Sequence, residues 1–191
     1  MKMLTRRRLF RSAAIAAGGA PLLAQAARSS KPEKMPLQVG DVLAFPSWEQ
    51  AGRLVKASEL VVGDKPLTVY PHDRGIGITR ERYRLNQILL IKLGPNEGDE
   101  TTAQISQGGL IAYSGICTHT ACAVSEWDGD KQHLICPCHS SEFDPRRGAK
   151  VVNGPAPRSL PSLAIEVQDD FVVITGPFSA KVGAKKKTGF S

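Results

Sequence analysis

Two short stretches between residues 117 and 139 hold all four of the chain's cysteines and two of its four histidines. They fall in two groups, Cys117-Thr118-His119-Thr120-Ala121-Cys122 and Cys136-Pro137-Cys138-His139-Ser140-Ser141. Thiolate sulfur and imidazole nitrogen are the donors that soft and borderline metal centres select, so this stretch points to metal chemistry. A structural zinc site would also use two cysteines and two histidines. Zinc ligand pairs, however, have a wider first spacing than Cys117-x-His119, and such a site leaves a second cysteine pair without a task. Two local disulfides, 117 to 122 and 136 to 138, are poor chemistry, because Cys136 and Cys138 are too close to bridge without strain. His72 and His133 fit no ligand spacing and read as ordinary surface or strand residues.

The two groups resemble the C-x-H and C-x-x-H boxes of the Rieske iron-sulfur family, and the further cysteine in each resembles its high-potential branch. The resemblance implies one 2Fe-2S cluster, with Cys117 and Cys136 on one iron, His119 and His139 on the other, and a disulfide between Cys122 and Cys138. It also implies that the Ser141 hydroxyl bonds a bridging sulfide. The likeness continues through Phe143-Asp144-Pro145 and Gly148 to Gly154-Pro155-Ala156-Pro157, which looks like the family's proline loop. Phe143, Gly154 and Pro155 are then the residues expected to shield the cluster.

Charge explains why such a mixed ligand set is useful. Four thiolates leave a 2Fe-2S core strongly anionic and hard to reduce, whereas two neutral imidazoles remove negative charge and raise the potential. A disulfide across residues 122 and 138 would stabilise the pair of loops by about 3 kcal/mol on the chain-entropy model.

The sequence departs from the pattern of quinol-oxidising cytochrome bc complexes. Thr120 and Ala121 stand where that pattern has leucine and glycine, Ser140 where it has glycine, and Phe143 where it has tyrosine. These changes favour a subunit or partner of a periplasmic oxidoreductase of the arsenite-oxidase small-subunit type, which shows a stretch resembling Ser141-Glu142-Phe143-Asp144. The Rieske subunit of a quinol-cytochrome c reductase is the alternative. In either case the partner is a redox protein, a cytochrome or a large catalytic subunit. A catalytic Rieske oxygenase would need a mononuclear iron site of two histidines and a carboxylate, for which only His72 and His133 are spare.

The elements that must position these loops read as all-β. Short runs rich in β-branched and aromatic residues, bounded by Gly, Pro, Asn and Asp, occur at 66–70, 83–93, 109–113, 123–127, 132–135, 163–167 and 171–175. Asp128-Gly129 between two of them signals a hairpin turn. Residues 47–60 offer a short helix, and 71–82 and 94–108 read as loops. The expected fold is a Rieske-type antiparallel β domain over 46–180, with a small cluster-binding part at 109–160 made of two loops and a hairpin.

Both ends read differently. Of the net charge of +7, five bases lie in residues 1–27 and four lysines in 181–191, leaving 16 bases against 18 acids between them. A slightly acidic body argues against nucleic acid as a partner. Arg6-Arg7 before an alanine-rich apolar run resembles a twin-arginine signal, so residues 1–27 are expected to be that signal or an N-terminal anchor. The expected location is the periplasm, with inner-membrane contact if the segment is retained. Residues 28–45 read as a linker and 181–191 as a lysine-rich tail.

Overall fold

The run Ile88-Leu89-Leu90-Ile91 is apolar at every position, and a strand of that kind has to be covered on both faces. In the computed structural model, which describes residues 31–185, this run lies in β4 (Ile88–Lys92) and its two faces look into two different cores. Ile88 and Leu90 pack with Leu43, Val69, Leu110, Leu163 and Ile174 in the first core. Leu89 and Ile91 pack with Tyr113, Leu134, Phe143, Cys117 and Cys136 in the second.

The first core fills a barrel. Strands β1 (Val42–Ala44), β2 (Leu67–Asp73), β3 (Ile78–Thr79), β4, β5 (Leu110–Ser114), β10 (Ser162–Gln168) and β11 (Phe171–Phe178) form one sheet in the order β1-β11-β10-β5-β4-β2-β3. Pairing of β1 with β2 as well as β11 closes the sheet on itself. Closure leaves fewer open sheet edges. The second core lies outside the barrel, beneath a sheet of β6 (Glu126–Asp128), β7 (His133–Cys136), β8 (Ser141–Asp144) and β9 (Lys150–Asn153), which the chain builds between β5 and β10. Both sheets are antiparallel, so the fold is all-β as expected.

Several sequence expectations change. The segment 28–45 reads as a linker, yet Val42 pairs with both Val173 and His72, and Leu43 is fully buried. Three apolar residues are too short a run to announce a strand; closure of the barrel makes them one. Ahead of them the chain is also tied down, since Leu37 N–H donates to Asn86 Oδ1 at 2.9 Å and Asn86 Nδ2 donates to Met35 O at 2.9 Å. The helix expected over 47–60 is a single turn, α1 (Ser47–Gln50), stopped by left-handed backbone at Ala51 and Gly52. Residues 94–108 contain α2 (Glu100–Ile105), whose Asp99 side chain accepts from the Thr102 amide at 2.9 Å. The strand expected from Tyr83 begins only at Ile88, because Asn86 turns inward to bond Met35 and Arg80 carbonyls. The Asp128-Gly129 hairpin exists, but its turn runs on to Gln132, with Asp128 Oδ1 accepting from the amides of Asp130 and Lys131. Strands β8 and β9 were not legible as separate runs. The twin-arginine segment lies outside the described residues.

Candidate metal centre

Each cysteine-histidine group is the tip of a two-stranded loop. In the first, Ile116 pairs with Ala123, the Cys117 N–H donates to Cys122 O at 2.8 Å, and the Ala121 N–H donates to Cys117 O at 3.1 Å. In the second, Cys136 on β7 faces Ser141 on β8, and the four residues between them make the turn. Ala121 (φ 61°) and Ser140 (φ 54°) take left-handed backbone at these tips.

The tips meet. The Cys122–Cys138 disulfide joins them with an S–S distance of 2.11 Å, as the resemblance implied. Cys117 and Cys136 remain free and buried. Burial pushes the Cys136 thiol up; the Cys138 amide opposes that rise and the Cys117 thiol adds to it. The His119 and His139 rings lie edge to face with centroids 4.7 Å apart. The Cys122, Cys136 and Cys138 sulfurs also lie within 4.8 Å of one another, but two of them are bonded to each other, so this trio is a disulfide beside one free thiol.

Fit to an iron-sulfur group can be judged on the donors. His119 Nδ1 is buried without a hydrogen-bond partner, and a buried polar nitrogen without a partner is costly unless something binds it. Beside it stand the second imidazole and two free thiols, a donor set of two nitrogens and two sulfurs that matches mixed ligation of iron. Ser141 is fully buried at the base of the second tip, and its Oγ accepts from the Ala156 amide at 3.1 Å, which leaves the hydroxyl proton uncommitted.

The remaining expected residues divide. Gly154 has φ +83° and lies so close to the second tip that a Cβ there would come within 2.6 Å of Ser141 Cα; only glycine allows the proline loop this approach. Phe143 is fully buried in the core that contains Cys117 and Cys136, where it faces Leu134 and Val151 across the sheet. Pro155 is exposed. His72 and His133 are elsewhere, the first 3.0 Å from Thr79 Oγ1 and the second 3.1 Å from Glu142 Oε2. Sequence reasoning missed Thr118, whose Oγ1 donates to Arg158 O at 2.6 Å, and Arg84, whose guanidinium donates to Ala121 O. Neither carries a local signal, since each partner is remote in the chain.

Residues 52–164 match the Rieske [2Fe-2S] domain family, which is more than half of the chain. The protein belongs to that family, and the group its two tips fit is a Rieske 2Fe-2S cluster. It is similar to the cytochrome bc1 complex Rieske iron-sulfur subunit of Streptomyces lividans, with 40% identity over 98 residues that make up 50% of this chain and 58% of that protein. It is also similar to a Haloferax mediterranei protein assigned as the Rieske subunit of a respiratory nitrate reductase, with 38% identity over 135 residues, 69% of this chain and 57% of that one. The chain thus spans less than two thirds of either relative. Among solved structures, the plasma membrane Rieske protein of Synechocystis PCC 6803 is 24% identical, with a TM-score of 0.39 over 57% of this chain and 86% of that one.

Proposed function

We propose that this chain transfers one electron at a time as the Rieske subunit of a quinol-cytochrome c reductase. The observation that carries the electron-transfer reading is the gradient of exposure across the four donors. Cys117 and Cys136 are buried, His119 is half-buried, and His139 stands in solvent. When bound, the cluster takes up and gives back a single electron. The two thiols would hold its inner side against the second core. His119 and His139 would hold the outer side, face the redox partner, and exchange a proton with water through the ring nitrogen that does not bind iron. Gly154, Phe143 and the proline loop would keep water from the sulfur side.

The choice between complexes follows from the backbone of the tips. Ala121 and Ser140 replace glycines of the quinol-oxidising pattern, and both occupy the left-handed region in which glycine is at ease. The loops therefore keep the glycine path and gain only a methyl and a hydroxymethyl group, which removes most of the weight these departures had against a quinol oxidase. Similarity to a bc1 subunit supports the same reading over the arsenite-oxidase small-subunit type. A partner in another respiratory oxidoreductase is the second reading, favoured by Thr120, an exposed polar side chain where the quinol-oxidising pattern places leucine.

Export by the twin-arginine route, and a periplasmic position with or without an inner-membrane anchor, belong to this proposal and rest on residues 1–27. Among the described residues no helix is long and apolar enough to cross a membrane.

Purified protein should contain iron and acid-labile sulfide in equal amounts and give a Rieske-type electron paramagnetic resonance signal on reduction. Stoichiometric zinc without sulfide would overturn the electron-transfer reading. Co-purification with a b-type cytochrome and reduction by a quinol supports the quinol assignment. Co-purification with a large catalytic oxidoreductase subunit and no b-type cytochrome replaces it with the second reading.

A further inference from the structure

Arg158 follows the proline loop directly, and its main chain and side chain face two different jobs. Its carbonyl accepts from Thr118 Oγ1 at 2.6 Å, between Cys117 and His119. Its Nη2 donates to the carbonyl oxygens of Lys181 at 2.6 Å and Gly183 at 2.5 Å. The residues expected to begin a free lysine-rich tail are therefore held. Gly183 is buried against the first tip: with φ +70°, a Cβ on it would lie 3.1 Å from Ala121 Cβ and 3.3 Å from Ile116 Cγ2. Arg158 Nε and Nη1 are closed off from water without a partner, so the guanidinium sits here on the two carbonyls.

We propose that Arg158 is a positioning residue for the cluster, latching residues 181–183 over the first ligand tip so that this strap becomes a third clamp beside the disulfide and the proline loop. The first tip is then held at three points: Cys122 by the disulfide, Thr118 by the Arg158 carbonyl, and Ala121 by the strap together with the Arg84 guanidinium on its carbonyl. A tip held in this way keeps His119 at a fixed distance from His139 and limits the water that reaches it. Releasing the strap would let the tip breathe, changing both the lifetime of the cluster and the environment its charge experiences. The proposal rests on the ligand assignment above.

Opening of the latch has a readout that does not pass through the cluster. Lys181 is exposed and its own carbonyl is one of the two held, so trypsin cleavage after it in the purified protein reports strap opening. Because two hydrogen bonds from a charged donor are lost, Arg158→Met should speed that cleavage about tenfold or more. In the holoprotein, Arg158→Met and a chain ending at Ala180 should each shorten cluster lifetime under a chelator and move the midpoint potential in the same direction. The double variant should be no worse than either alone. Arg158→Lys, which keeps the charge but not the planar fork, should leave the strap as open as Arg158→Met does. Unchanged cleavage in Arg158→Met overturns the latch. So does a shortened chain with normal lifetime and potential, or a normal potential in Arg158→Lys, because the charge alone would then explain the arginine. Should Arg158→Met fail to fold, the shortened chain decides. Wild-type protein that binds no iron and sulfide would instead sink the ligand assignment, leaving the cleavage result to stand by itself.

Discussion

Barrel and four-stranded sheet share one pairing pattern and differ in what holds them. Inside the barrel, Leu43, Val69, Ile88, Leu90 and Ile174 are fully buried, and the buried core is aliphatic apart from Phe45. The small sheet buries Leu134 and Phe143 but exposes Lys150, Val152 and Asn153 on β9 and Glu126 on β6. A disulfide, the contact of Gly154 with Ser141, and the hydrogen bonds from Ala156 to Ser141 and from Thr118 to the Arg158 carbonyl do there what burial does in the barrel. The difference teaches that an electron carrier cannot bury the part of itself that must meet a partner. Its tips have to stand near solvent, so covalent and backbone ties replace apolar area as the source of rigidity.

If the two regions are independent, the largest effect should come from the barrel and leave the tips untouched. Leu90→Ala removes a side chain from a closed core and should cost about 2–5 kcal/mol in global unfolding, measured by circular dichroism in denaturant. The paramagnetic signal of the folded fraction should not change, and a shifted signal would break the separation. Next in size is the tie between the tips. Cys122→Ala with Cys138→Ala should destabilise the small sheet by up to about 3 kcal/mol and shorten cluster lifetime. Trp127, packed against the second core, reports this by fluorescence, and the barrel transition should stay where it was. Free thiols at both positions in the native protein would remove the basis for the effect.

A smaller effect tests what the second core does for the electron. Phe143 sits in the same core as both free cysteines and has no hydrogen-bond donor on its ring. Phe143→Tyr should stabilise the reduced cluster by roughly 1 kcal/mol, which raises the one-electron midpoint by about 40 mV. A midpoint that stays or falls would mean that the ring does not reach the sulfur side.

Smallest is an acid effect confined to the outer sheet. Asn153 Nδ2 donates to Glu142 at 3.1 Å, and with His133 this holds the Glu142 carboxyl below the usual carboxylate range. Folding therefore favours the carboxylate. The stabilisation is complete above the unfolded value near ~4.3 and is lost as pH falls through the lower folded-state value. Hydrogen exchange in β8 and β9 should quicken on acidification relative to β4 and β5, and Glu142→Gln should flatten that difference. Equal quickening in both regions would show that acid acts on the whole fold.

Much of the site is legible in the amino-acid sequence alone, because its chemistry is local. Ligand types and spacing sit within 23 residues, and the turn residues, the glycine at 154 and the alternation in β10 each follow from chain geometry over a few positions. The linker reading of 28–45 missed β1 because that strand depends on partners far along the chain, whereas the helix expected over 47–60 is cut short locally at Ala51 and Gly52, and β8 and β9 are runs of four residues too short to stand out. Val42 is a strand residue because His72 and Val173 are there to pair with it. The same reason separates the two kinds of site residue. Cysteine and histidine donors announce themselves by type, so the sequence determined what the protein can bind. Which sulfurs stay free, which histidine faces water, and that Arg158 grips the strap over Ala121 were decided only when the barrel brought both tips and residues 181–183 together. Contacts between remote residues leave no periodic trace in a sequence, and only the closed fold gives them a distance.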